Sequence, residues 1–164
     1  MNPIIKTFED AAKKQGIAIE KSEDTRKVKT YEGKEVDLKQ VLYRTTLQLG
    51  EHGLVPASIL FQDDDKRKCI NYQISYSSVA QITDRNQLPE VLEQLNQMNV
   101  SKTGYYHFTV HPDGSIGLRN VGLTTEDITA VLDIFVFAGR LIGMLLNDLK
   151  NIKGIKVLPA KPRK

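Results

Sequence analysis

Apolar residues recur at helical spacing near both ends of the chain and alternate with polar ones through its middle. The strongest helical pattern is Ile128, Val131, Leu132, Phe135, Ile142, Leu145, Leu146 and Leu149, which predicts one long helix over residues 124–149. Thr124 or Thr125 suits its N-cap, and Glu126 and Asp127 fall in the first turn, where carboxylates meet the positive end of the dipole. Val136, Phe137, Leu141 and Met144 widen the apolar surface beyond one stripe. Such a helix sits in a core, under a partner or in a membrane. Asp133 and Arg140 argue against a span, since a charge at mid-bilayer is expensive, and they mark the solvent edge. Gly139 and Gly143 form a small-xxx-small pair that permits close backbone approach. Packing against the chain's own sheet is the favoured use of that pair. A dimer seam is the alternative, with Phe137, Gly139, Gly143 and Met144 as its candidate interface.

Two shorter helices are expected. Ile4, Ile5, Phe8, Ala11 and Ala12 give residues 3–15 one inward face, with Asn2 as cap, Pro3 at the first helical position and Gly16 as stop. Leu88, Val91, Leu92, Leu95 and Met98 do the same over residues 88–99, where Pro89 fits only the first turn. Residues 20–27 are charged and read as a loop. Strands are expected over residues 27–31, 36–49, 54–62 (with Pro56 implying an edge, a bulge or a late start), 68–82 and 105–111, with a return through Ile116, Leu118 and Val121. The alternation is cleanest at Ile70, Tyr72, Ile74 and Tyr76 against Asn71, Gln73, Ser75 and Ser77, as in a half-buried antiparallel strand. Gly33, the segment 50–53, the charged residues 63–67 and Pro112-Asp113-Gly114-Ser115 mark turns.

Strands segregated from helices in this order predict an α+β fold, an antiparallel sheet of about five or six strands packed against helices. Residues 1–150 are expected to form a single domain and residues 151–164 a basic, loosely ordered tail, with an extra packed strand through Ile152, Ile155, Val157 and Leu158 as the alternative for part of it.

One stretch carries a family resemblance. The run LPEVLEQLNQMN at 88–99 resembles the LNxxN helix of YbjN-like proteins. The segment YHFTVHPDGSIGLR at 106–119 is similar to the hairpin that follows it there, and TTEDI at 124–128 to the start of the closing helix. The resemblance covers roughly residues 85–149. It implies a bacterial α+β protein similar in fold to type III secretion chaperones, which are dimeric protein-binding modules. It implies no active site. The chain departs from those chaperones in its basic tail. Asn96 and Asn99 also have a local reading: an amide near a helix end holds the last carbonyls or the following turn.

Charge is unevenly distributed. The chain carries +3 overall, yet Lys150, Lys153, Lys156, Lys161, Arg163 and Lys164 lie in a C-terminal segment without acids, so residues 1–148 carry a net negative charge. Those six cations are candidate anion contacts and the basis of an alternative reading, a nucleic-acid-associated protein acting through its tail. A basic face on the folded part is not implied.

Candidate chemistry is sparse. His107 and His111 on one strand lie about 13 Å apart at ~3.3 Å per residue, too far to share a metal, and His52 sits in a turn. Asp63, Asp64 and Asp65 are followed by Lys66, Arg67 and Lys68, which reads as a self-paired turn rather than a calcium loop. Cys69 is the single cysteine, so no internal disulfide or Cys-rich metal site forms. The sequence contains no phosphate loop, dinucleotide fingerprint, nucleophile elbow or HExxH zinc helix. No cofactor and no metal are expected. The N-terminus lacks the basic start and apolar run of a signal peptide, so a cytoplasmic setting is expected. The functional expectation is a non-catalytic protein-binding or chaperone-like module with an unidentified protein partner and a possible homodimer. An enzyme with a scattered site is the remaining alternative.

Overall fold

The computed structural model describes residues 1–49, 53–136 and 139–158. Within them the fold is α+β, with a seven-stranded antiparallel sheet and helices. The elements are α1 (Pro3–Lys14), β1 (Glu20–Lys29), β2 (Glu35–Gln48), β3 (Leu54–Gln62), β4 (Ile70–Ile82), α2 (Leu88–Ser101), β5 (His107–Val110), β6 (Ser115–Thr124), α3 (Thr129–Val136), α4 (Gly139–Leu149) and β7 (Ile155–Val157). A 3-10 turn, Arg85–Gln87, leads into α2. The strand order is β1-β2-β3-β4-β6-β5, and β7 pairs with β4. Residue contacts group into two compact units: Met1–Thr45 with Ser58–Ile74 and Val121–Phe135, and Thr46–Ala57 with Ser75–Asn120 and Val136–Lys164. Strands β2, β3, β4 and β6 each contribute residues to both.

In the first unit, α1 forms because its apolar residues share one stripe and its first turn is satisfied from outside the helix. The Asn2 side chain accepts from the Ile4 amide at 2.9 Å, and Pro3 supplies the first helical residue. Ile4, Ile5, Phe8 and Ala12 are buried. Phe8 is the centre of a ring cluster, 5.1 Å from Tyr43, 5.1 Å from Phe61 and 6.2 Å from Phe135. These tilted contacts join α1, β2, β3 and α3, and each ring buries a large apolar area. Asn2 is itself fully buried; its amide donates to the carbonyls of Asp64 and Arg67, and its backbone N–H donates to Asp63 at 2.7 Å. The helix cap and the β3–β4 turn are thus one hydrogen-bonded assembly.

In the second unit, α2 buries Val91, Leu95 and Met98, and α4 buries Ile142, Leu145, Leu146 and Leu149. Tyr76 and Tyr106 meet edge to face at 5.6 Å within that core. Asn99 accepts from the Phe108 amide at 2.7 Å and donates to its carbonyl at 3.3 Å. One side-chain amide therefore satisfies both outward backbone groups of Phe108 on the edge strand β5, the turn-holding role expected for it; Asn96 is exposed.

Several expectations change. Residues 20–27 are not a loop: they pair with β2 along the full length of β1, from Glu20 opposite Arg44 to Lys29 opposite Glu35. Their charged composition hid the strand because nearly every side chain reaches water, so no apolar alternation marks it. The expected helix start at Thr124 is also displaced. Thr124 ends β6, and the Asp127 carboxylate, not a threonine, accepts from the Thr129 amide at 3.2 Å. A Cβ at Gly122 would stand 2.8 Å from the Tyr72 hydroxyl, so β6 lies tight on that ring. The helical residues that follow are α3 and α4, and Phe137 lies outside the described residues. The run Thr129–Leu149 is long and apolar enough to cross a membrane by length and composition. Within that run Phe135, Ile142 and Leu149 are fully buried, whereas Met144 is exposed. Asp133 and Arg140 are exposed, as expected. The segment after residue 150 is not a solvated tail at its start. Ile152 is buried, and Ile155 and Val157 place β7 against β4, opposite Ile82 and Ala80.

Candidate functional site

The first unit presents two unlike sheet faces. The odd-numbered side chains of β2 and β3, including Val41, Tyr43, Ile59 and Phe61, are buried, and α1 and α3 reach them through Phe8 and Phe135. The even-numbered side chains point away from the helices because successive residues alternate across a strand. They include Leu38, Gln40 and Leu42 of β2 and Leu60 and Gln62 of β3, all half-buried. Asn71 and Gln73 of β4 and Val121 and Leu123 of β6 continue this outward face by the same alternation.

Hydrogen bonds fix how these residues line up. Ser22 lies opposite Leu42 and Asp24 opposite Gln40. The Asp63 amide donates to the Lys39 carbonyl at 2.8 Å, which sets Leu60 beside Leu42 and Gln62 beside Gln40. The Asn71 amide donates to Gln62 at 2.6 Å, which brings β4 into the same register. An apolar row of Leu42 and Leu60 thus runs beside an amide row of Gln40, Gln62 and Asn71. Val121 and Leu123, at the β6 side, are 50% and 65% exposed, more than an ordinary sheet interior leaves to water. Leu42 with Leu60, and Val121 with Leu123, thus form two apolar patches on this face with the outward Asn71 and Gln73 of β4 between them, and an exposed apolar patch is a place where another apolar surface can settle.

The opposite face carries the unit's main polar cluster. The buried Tyr43 hydroxyl donates to Glu9 at 2.6 Å, and Glu9 pairs with Lys21 at 3.1 Å. Burial, then the Glu9 hydrogen bond, pushes the Tyr43 phenol far above its ordinary range. For Glu9 burial raises the carboxyl pKa, but the bonds from Tyr43 and Lys21 outweigh it and hold the group below its usual value. Lys21 also reaches Glu23 at 2.8 Å, and these bonds raise its pKa. The cluster pins α1 to β1 and β2.

The residues singled out in the sequence fall in separate places. A Cβ at Gly139 would lie 3.3 Å from Leu49, so that glycine admits close packing against the chain's own β2 end. Gly143 is half-buried and Met144 is 60% exposed. Lys150, Lys153 and Lys156 are exposed, whereas Lys161, Arg163 and Lys164 lie outside the described residues. His107 and His111 are exposed and His52 lies outside the described residues. Asp63 is held by the Asn2 amide and Asp64 pairs with Arg67 at 3.2 Å, so the acidic turn is spent on structure. Cys69 is a half-buried free thiol. Among the described residues, no three His, Cys, Asp or Glu side chains converge as a metal site.

No protein-family model and no curated protein matches the chain. The outward face was missed in the sequence because its members come from four strands. Leu42 and Leu60 become neighbours only through register, and a single sequence does not state register. The one available signal was apolar residues at positions of both parities in β2, where Leu38 and Leu42 alternate against Val41 and Tyr43.

Proposed function

We propose that the chain is a non-catalytic, chaperone-like protein-binding module that receives an apolar segment of another protein on the open sheet face of its first unit. The observation that carries this reading is that Leu38, Leu42 and Leu60 on one side of β4, and the exposed Val121 and Leu123 on the other, all lie on the outward face of the sheet. The adjoining amides Gln40, Gln62 and Asn71 would serve the polar groups of an extended segment laid across the strands. The resemblance to YbjN-like proteins and to secretion chaperones supports the same class of function. A fold by itself would not, because one fold hosts many functions.

The test uses reduced insulin B chain as an aggregating apolar client, followed by light scattering with the full chain present. The wild type is expected to suppress aggregation. The double variant Val121→Lys, Leu123→Lys is expected to keep the same unfolding midpoint, since both side chains are exposed, and to lose most of the suppression. A wild type without suppression, or a variant that suppresses equally well, removes the reading.

A further inference from the structure

The two edges of the sheet are finished differently. At β5 the Asn99 amide occupies both outward backbone groups of Phe108. At the other end of the strand order β1 pairs with β2 alone, over ten residues from Glu20 to Lys29. Eight of those ten side chains are exposed, and only Ser22 and Val28 are half-buried. A long edge with free amides and carbonyls is a template for another strand.

The backbone of β1 shows which groups are available. The Thr30 amide donates to the Lys34 carbonyl across the hairpin, at 2.8 Å, so even-numbered residues turn their polar groups toward β2. The Thr25 amide is held instead by the side chain of its neighbour Asp24, at 2.9 Å, and so faces outward. Odd-numbered residues of β1 therefore present the free donors and acceptors.

The charges along β1 are ordered. Glu20, Glu23 and Asp24 lie in its first half; Arg26, Lys27 and Lys29 lie in its second. Such a strand is complementary to its own reverse. A two-fold axis normal to the sheet keeps outward side chains outward, so residues of equal parity must face each other. Centred on Thr25, the pairing sets Thr25 against Thr25 of the second copy, Asp24 against Arg26 and Glu23 against Lys27, each charged pair occurring twice. Only Lys21 and Lys29 meet as like charges, at the solvated ends, and Lys21 is already paired with Glu9 and Glu23. Moving the centre to Asp24 sets Asp24 against itself and Lys21 against Lys27. Moving it to Arg26 sets Arg26 against itself. Opposite charges directly across a strand pair attract and like charges repel, so one register stands out.

We propose that β1 is a homodimer interface, in which a second copy of this chain adds its β1 antiparallel with Thr25 on the two-fold axis. The Thr25 amides and carbonyls then bond reciprocally across the axis, and each Asp24 exchanges its contacts with Thr25 and with its own Arg26, 3.0 Å away, for Arg26 of the second copy. The sheet becomes continuous through both copies. This inference does not depend on the open face binding any client.

The test is analytical ultracentrifugation of the full chain at low and high salt, together with cysteine cross-linking in a Cys69→Ser background. Hydrogen-bonded antiparallel residues sit about 5.5 Å apart at Cα, within the span of a disulfide. Thr25→Cys is expected to cross-link to its own copy on oxidation. Lys29→Cys, which would face Lys21, is expected not to. Arg26→Asp sets Asp24 against an aspartate twice and is expected to weaken dimerisation about tenfold or more, while the swap Asp24→Arg, Arg26→Asp restores it. Circular dichroism of each variant checks that the fold is retained. A wild type that stays monomeric at high concentration without Thr25→Cys cross-linking overturns the proposal. So does a dimer indifferent to Arg26→Asp, which would place the seam elsewhere.

Discussion

Replacing Asn2 separates two jobs that one buried side chain performs. Its oxygen caps α1 through the Ile4 amide, and its nitrogen donates to the carbonyls of Asp64 and Arg67, more than sixty residues away in sequence. Loss of a helix cap costs about 1 kcal/mol. Each tethering bond contributes about 1 kcal/mol net, and more where the abandoned carbonyl stays buried. Asn2→Ala removes all three contacts and is expected to cost about 3 kcal/mol, or a fall in Tm of roughly 6–12 °C for a chain of this length. Asn2→Ser keeps a capping oxygen but cannot reach both carbonyls, and is expected to cost about 2 kcal/mol on the same reasoning. Urea unfolding followed by circular dichroism measures both, with an unchanged slope confirming that stability rather than compactness has moved. If the alanine and serine variants unfold within about 0.5 kcal/mol of wild type, the long-range tether does not hold the β3–β4 turn, and the account of how α1 is anchored fails.

Two further outcomes follow from the same coordinates. Ser78 holds a φ of +53° inside β4, where side-chain residues are strained. Ser78→Gly should relieve that strain at some cost in chain entropy and raise stability by about 0.5–1 kcal/mol, whereas Ser78→Ala should give no gain; thermal melts decide between them. Glu9 has a folded pKa below its ordinary value, so the stability it supplies is fully present above that ordinary value and is lost as pH falls through the depressed one. Urea midpoints measured from neutral to acid pH should decline for wild type in that window, and the decline should be shallower in Glu9→Gln.

Much of the architecture follows from local pattern. The helices at Pro3 and Leu88, the cap at Asn2, strands β2 to β4 and the hairpin of β5 and β6 are marked by periodicity and turn chemistry, because one face of each is buried and the other wet. The role of Asn99 was legible for the same reason, since an amide at a helix end has few other uses. The tertiary structure decided what periodicity cannot encode. Strand β1 has no buried face and takes its conformation from hydrogen bonding to β2. Ile155 and Val157 are a strand through pairing with β4, and Thr124 ends β6 instead of starting a helix. The outward apolar row is likewise a product of register: Leu42 and Leu60 are 18 residues apart in the chain and become neighbours through the bond between Asp63 and Lys39. Local sequence sets which side of an element avoids water; only the pairing of distant elements decides which of those sides is finally covered and which is left open.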